Sequence, residues 1–269
     1  MKKTLIAATV AGIVACPAFA EDAPAASPLT FNVGAVSDYL FRGVSQTHGD
    51  PAVSAGVDYA FSNGFYIGAW ASTITWVKDY TGKGSTEVDL YGGYRNTFAG
   101  GDWGYDLGVI GYTYPNHGSA TLFGEEPNTT EVYAALSYKT LSVKYSYVVS
   151  DYFIGWRSAS GGKTDGSGYL EANYSHDLGN GWGLTAHVGH QKVKDLNIAD
   201  YTDWKIGITK DVGFGVVGLA YSDTNAKGEC SAFEAYCWPD SNFVSGVGST
   251  SGLKDVAKGK AVLSFSKSF

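Results

Sequence analysis

The chain predicts an all-β fold: a transmembrane antiparallel β-barrel of about twelve strands, with short turns at one rim and long loops at the other. Three observations predict it. The first twenty residues read as an export signal. The remainder alternates apolar and polar residues with period two, and the last segment, Ala261 to Phe269, is an alternating strand that ends on an aromatic ring.

In the signal, Lys2 and Lys3 precede the apolar stretch Leu5 to Val14, and Ala18-Phe19-Ala20 supplies the small-x-small pattern for cleavage before Glu21. A competing reading takes Ile13-Val14-Ala15-Cys16 as a lipoprotein box with Cys16 acylated, which Pro17 fits poorly. Residues 21–28 are then a lead and 29–269 the barrel. After cleavage no apolar run approaches the roughly 18 to 20 residues that a membrane helix requires, so a membrane crossing must use strands.

Alternation places strands at 29–44, 51–61, 65–76, 85–98, 103–114, 128–138, 141–152, 167–177, 182–191, 201–210, 214–223 and 259–269. The even count leaves both ends of the barrel on one side. Connections alternate in length. Ser62-Asn63-Gly64, Ala99-Gly100-Gly101-Asp102, Lys139-Thr140, Leu178-Gly179-Asn180-Gly181 and Asp211-Val212-Gly213 are tight turns, nearly all supplying the Gly or Asn that positive φ demands. The others, 45–50, 77–84, 115–127, 153–166, 192–200 and 224–258, are long and rich in Gly, Ser, Thr and Asp. This asymmetry matches bacterial outer-membrane barrels, with periplasmic turns and extracellular loops. The seven prolines fall in the signal, the lead or the loops, or, at Pro51, at the first position of a strand, and none sits in a strand interior where a ladder hydrogen bond would be lost.

Phe61, Phe65, Phe98, Trp103, Tyr138, Trp182, Phe214 and Phe269 cluster beside the short turns and read as a periplasmic aromatic girdle. A second set, including Trp76, Tyr114 and Tyr152, lies near the long loops. Apolar parity marks the lipid face: Val53, Ala55, Val57, Tyr59 and Phe61; Val88, Leu90 and Tyr94; Trp103, Tyr105, Leu107 and Val109; Val132, Ala134, Leu136 and Tyr138; Trp204, Ile206 and Ile208. The opposite parity lines the lumen with Asp58, Glu87, Asp89, Asp106, Glu131, Glu171 and Asp203 against Arg95, Lys144 and Lys205, an acidic excess. Strands 65–76 and 214–223 do not divide cleanly.

The formal charge of −7 becomes −9 when Lys2 and Lys3 leave, which excludes a basic nucleic-acid face. Cys230 and Cys237, the two cysteines of the exported chain, read as a disulfide across a short loop, with metal binding the weaker alternative because no His accompanies them. No cofactor or metal site is indicated. Asp38 and Arg42, four apart in the first strand, share a face about 13 Å apart by the strand rise and read as anchors at the extracellular rim.

The opening phrase Ser37-Asp38-Tyr39-Leu40-Phe41-Arg42-Gly43-Val44-Ser45 resembles that of the TorF-like porins of proteobacteria. Pro51 to Tyr59, Gly64-Phe65-Tyr66-Ile67-Gly68, Glu87 to Tyr94, Tyr112-Thr113-Tyr114-Pro115 and Glu131-Val132-Tyr133-Ala134 are similar to that family's hairpin phrases in the same order. The resemblance implies a porin of the Gram-negative outer membrane and names no catalytic residue.

Three function classes follow. The first is passive diffusion of small hydrophilic solutes or ions through a mildly cation-preferring lumen, with outer-membrane lipids, small solutes and the barrel assembly machinery as partners. The second is a structural or adhesive barrel with a plugged lumen. A lipid enzyme is the third, and the sequence argues against it. His187 and His190 have opposite strand parity, and no G-x-S-x-G turn is present.

The terminal strand generates a prediction. Replacing Phe269 by Asp removes the aromatic end of the strand that closes the barrel, so the variant should accumulate unassembled. The measurement is the heat-modifiable fraction in the outer membrane after expression; wild-type levels of folded protein would refute it.

Overall fold

The computed structural model describes residues 27–118, 125–243 and 250–269. The expected signal lies outside the described residues, as does most of the lead. Twelve strands form the wall: β1 (Leu29–Val36), β2 (Ala52–Ala60), β3 (Phe65–Thr73), β4 (Thr86–Phe98), β5 (Trp103–Thr113), β6 (Thr129–Tyr138), β7 (Leu141–Val148), β8 (Gly168–Gly179), β9 (Trp182–Lys192), β10 (Tyr201–Asp211), β11 (Val216–Thr224) and β12 (Lys260–Ser268). Each pairs antiparallel with its sequence neighbour, and β1 with β12 from Asn32↔Ser268 to Val36↔Ser264 closes the barrel. Closure leaves no strand edge exposed.

The tight turns follow their residues. Asn180 and Gly181, at φ 53° and 76°, make the two-residue reversal between β8 and β9 whose positive-φ geometry matches the twist of a hairpin. Parity holds along the wall, and the two ambiguous strands divide. Phe65 and Ile67 of β3 are exposed outward while Tyr66 and Ser72 are buried inside; Leu219 and Tyr221 of β11 are exposed while Val216 and Ser222 are buried. Phe61, Phe65, Phe98, Tyr138, Trp182, Phe214 and Phe269 are exposed on the outer surface beside the short turns, with Trp103 half-buried among them. Trp103 packs 4.7 Å from Tyr138, ring centre to ring centre.

Three strands end three or more residues sooner than alternation suggested. The first stops at Val36 instead of 44, the third at Thr73 instead of 76, and the seventh at Val148 instead of 152. In each case the chain leaves the wall at the long-loop rim, where packing among the loops takes over from ladder pairing. Residues Trp76–Thr81 form a short helix, α1, that begins where the third strand was expected to continue.

Those departures build a core. Tyr39 and Val44 from the first loop, Trp76 and Val77 of α1, Tyr114, Phe153 and Trp156, Val193 and Leu196, and Tyr236, Trp238 and Val256 pack into one buried apolar cluster. Trp238 is fully buried, with its ring centre 5.6 Å from that of Trp76, and Tyr236 lies 5.1 Å from Tyr201. Trp76 and Tyr114, near the long loops, are therefore interior residues. The physical reason is that each belongs to a segment that turns over the mouth. A disulfide joins Cys230 to Cys237, Cα atoms 5.1 Å apart, and the ribbon Cys237–Pro239 with Leu253–Asp255 carries Trp238 into the cluster.

His48 sits in this packing. Its Nδ1 lies 2.8 Å from Thr75 Oγ1 and 3.1 Å from Asp79 Oδ2, and its backbone carbonyl accepts from Lys254 Nζ at 3.3 Å. Burial first, then Lys254, pushes its pKa down to about 4, with Asp240 and Asp38 opposing and Lys260 assisting. Burial also pushes the Asp79 carboxyl up, so that group works in the opposite sense at the lower end of the range. Above about pH 6.5 the imidazole is neutral whether packed or released. As pH falls towards 4 only the released loop takes up the proton, and packing loses up to about 3 kcal/mol. Proteolysis within 37–50 should therefore accelerate between pH 7.5 and 5 in wild type. His48→Gln should flatten the profile, and an unchanged slope in that variant would show His48 uninvolved.

Candidate functional site

The site is the barrel lumen, and its most specific feature is a hairpin folded into it. After Val36 the chain turns inward, and Leu40–Phe41 pairs with Val44–Ser45 around a reversal at Arg42 and Gly43, φ 50° and 80°. Gly43 is required there twice over. Its φ is left-handed, and a Cβ would come within 2.8 Å of both Thr224 Cγ2 and Asp203 Cβ on the wall. Asp38 and Arg42 are therefore not rim anchors in a continuous strand, as the sequence suggested. Both are buried inside.

Arg42 is the centre of the contacts. One guanidinium nitrogen donates to both carboxylate oxygens of Glu131 on β6, at 2.9 and 2.7 Å, and another to Gln191 Oε1 on β9 at 2.8 Å. Its planar group lies 4.3 Å from the Tyr169 ring centre and 4.8 Å from that of Phe41. Both charged side chains are nearly sealed, at 6% and 1% exposure. Desolvating such a pair costs several kcal/mol, which its bidentate geometry, the Gln191 acceptor and the aromatic faces offset. Removing one partner would strand a buried charge at about 3 to 5 kcal/mol. Asp38 accepts from Ser45 Oγ at 2.5 Å and Thr47 Oγ1 at 3.0 Å and pairs with Lys260 Nζ of β12 at 2.9 Å.

All ten residues read as lumen-facing lie on the inward parity. Lys144 bonds Glu171 at 2.8 Å; Asp203 accepts from Tyr169 at 2.7 Å and faces His187 Nε2 at 2.9 Å; Lys205 follows on the same face of β10. Asp58 accepts from Tyr91 at 2.6 Å, Asp106 accepts from Tyr66 at 2.6 Å, and Arg95 lies over the Tyr66 ring at 4.8 Å. Glu87 and Asp89 are both buried near the hairpin, and Glu87 accepts from Tyr39 at 3.4 Å. Glu87 Oε2 and Asp89 Oδ1 have no hydrogen-bond donor among the described residues. His190 faces outward, bonded to Thr202 Oγ1 at 2.9 Å, so it does not join His187.

Sequence reading missed the tyrosines that organise this wall. Tyr91 lies on Gly68, Tyr133 on Gly108 and Tyr66 on Gly93, each its direct cross-strand partner, and no Cβ would fit at those glycines. Lying flat against the wall, the rings extend along it instead of across the lumen. The signal was present as glycine and tyrosine on matching inward parity, but it is visible only once register is known. A cavity of about 10 Å³, room for about one water, lies among Asp106, Tyr133, Ser142, Lys144, Glu171 and Asn173.

Among solved structures the chain is similar to the KdgM porin, at 9% identity over 89% of this chain and 99% of that one, with a TM-score of 0.51. It is also similar to the NanC porin, at 12% identity over 90% and 98%, with a TM-score of 0.52. At these identities the likeness establishes the shared barrel fold. A search of curated proteins finds no match. A family model described as "Bacterial protein of unknown function (Gcw_chp)" matches residues 21–262, nearly the whole chain, and the chain belongs to that family.

Proposed function

We propose that the protein is an outer-membrane channel of porin type, passing small hydrophilic solutes or ions by diffusion with a mild preference for cations. One observation carries the reading: a closed barrel that is apolar outward and lined inward with charged groups along its length. The signal-like N-terminus, the loop asymmetry and the TorF-like opening phrase support export, cleavage at Glu21 and insertion in the outer membrane, with Phe269 as the end presented to the assembly machinery. Passage needs no chemistry, since inward polar groups replace part of a solute's hydration. Cation preference is supported by the acidic excess among the inward residues, Asp58, Glu87, Asp89, Asp106, Glu131, Glu171 and Asp203 against Arg95, Lys144 and Lys205.

The filled mouth favours a second reading, a structural barrel that does not conduct. Aromatic packing from several loops and the buried hairpin are what such a barrel would use. An enzymatic reading has less support, because His187 is held among Tyr169, Asn173 and Asp203 and bonds no serine or cysteine among the described residues.

Planar-bilayer recording separates these. In a salt gradient the wild-type reversal potential should lie on the cation side and shrink as salt rises, because screening shortens to a Debye length of about 10 Å at 0.1 M. Asp58→Asn with Asp203→Asn should move it towards zero. Anion selectivity of the wild type would overturn the lumen assignment.

A further inference from the structure

Most charges inside the barrel fall into balanced groups. Glu131 is held by Arg42 at 2.7 Å, and Asp38 pairs with Lys260 at 2.9 Å. Glu171 bonds Lys144 at 2.8 Å, and Asp203 is followed on the inward face of β10 by Lys205. Asp106 stands directly across from Arg95 in the register of β4 with β5. In each group a neighbouring cation offsets the field of the acid. Glu87 and Asp89 have no such cation, but they are sealed beside Tyr39 and the loop core at 1% and 7% exposure, where neither water nor a partner sustains a charge. Asp177 and Asp211 share the inward parity, yet each lies at a turn, accepting from Gly179 N–H at 2.7 Å and Gly213 N–H at 2.8 Å, and open water at the rim screens it.

Asp58 differs on every count. It is half-buried on the inward face of β2, so its carboxylate keeps contact with the lumen. Its donors are neutral: Tyr91 Oη at 2.6 Å and Asn32 Nδ2 at 3.5 Å. Tyr91 lies flat on Gly68 and Asn32 on Gly56, so two glycines seat both donors against the wall beside it. The direct cross-strand neighbours, Thr30 and Gly68, carry no charge, and no ion pair reaches Asp58 among the described residues. We propose that Asp58 is the specificity-determining residue of the lumen, an uncompensated carboxylate inside the wall that draws cations through and holds anions back. The inference rests on the channel reading above and assigns its cation preference to one side chain. A low-dielectric wall focuses the field of such a charge into the water-filled path instead of letting it spread. Its place also fixes where selection occurs. β2 ends at Ala60, so Asp58 stands near the short-turn rim, at the far end of the lumen from the hairpin and the loop core.

The test is the reversal potential of the full chain in planar bilayers under a potassium chloride gradient, with heat-modifiable mobility confirming that each variant is a folded barrel. Asp58→Asn keeps an acceptor for Tyr91 and removes the charge, and it should lower the potassium-over-chloride permeability ratio about twofold or more. Arg95→Gln with Asp106→Asn removes a balanced pair and should leave the ratio at its wild-type value. Asp58→Cys should behave as Asp58→Asn does, and treating it with a sulfonate-bearing methanethiosulfonate, which places one negative charge back at the site, should restore the preference. Asp58→Asn channels that conduct with the wild-type ratio, or a paired variant that loses the preference as fully as Asp58→Asn, would overturn the assignment and leave the channel reading standing. Absence of conductance in the wild type and in every variant would overturn the channel reading and the assignment with it.

Discussion

The structure depends on one constraint: a strand wall that crosses an apolar phase must pair all of its backbone groups within itself. Closure of β1 on β12 meets it. Because every strand then has two neighbours, side chains have only two places to go, outward or inward, and period-two alternation becomes a partition between two solvents. Exposed Val53, Leu90, Leu107 and Ile206 belong to the apolar side, and Glu87, Glu131 and Asp203 to the polar one. The wall itself needs no apolar core, which frees the interior for charge.

The apolar core that does exist sits at the mouth, made from loops. This division explains why the chain combines a polar lumen with fully buried tryptophans. Trp238 and Trp76 pack as they would inside a soluble domain, while the acids Asp89 and Glu131 are buried in the lumen. Arg42 links the two regions. It reaches from the loop core to the wall, and its charge satisfies an acid that the wall could not satisfy alone. The Tyr–Asp bonds repeat the same solution at smaller scale, with a neutral donor in place of a cation.

Much of this was legible from local signals. Twelve strands, their parity and the tight turns follow from alternation and from turn residues such as Asn180-Gly181, because these obey rules of nearest neighbours. What was not legible is non-local. Residues 37–44 alternate well enough to read as strand, and only the inward turn and the distant partners Glu131 and Gln191 make them a hairpin. Trp76 and Tyr114 likewise have the composition of girdle residues, and their burial depends on loops far away in sequence. The ambiguity of β3 came from its glycine and alanine positions, which carry little parity signal until Tyr91 is known to lie on Gly68.

The hairpin hangs from β1, the strand that makes the final seam with β12, through only a few residues. The seam's register and the position of Asp38 are therefore tied together. A slip of two residues along that seam preserves parity, yet it would carry β12 about 7 Å past β1 and part Asp38 from Lys260 on β12. That ion pair thus serves as an internal ruler, marking the one register in which the hairpin and the last strand meet.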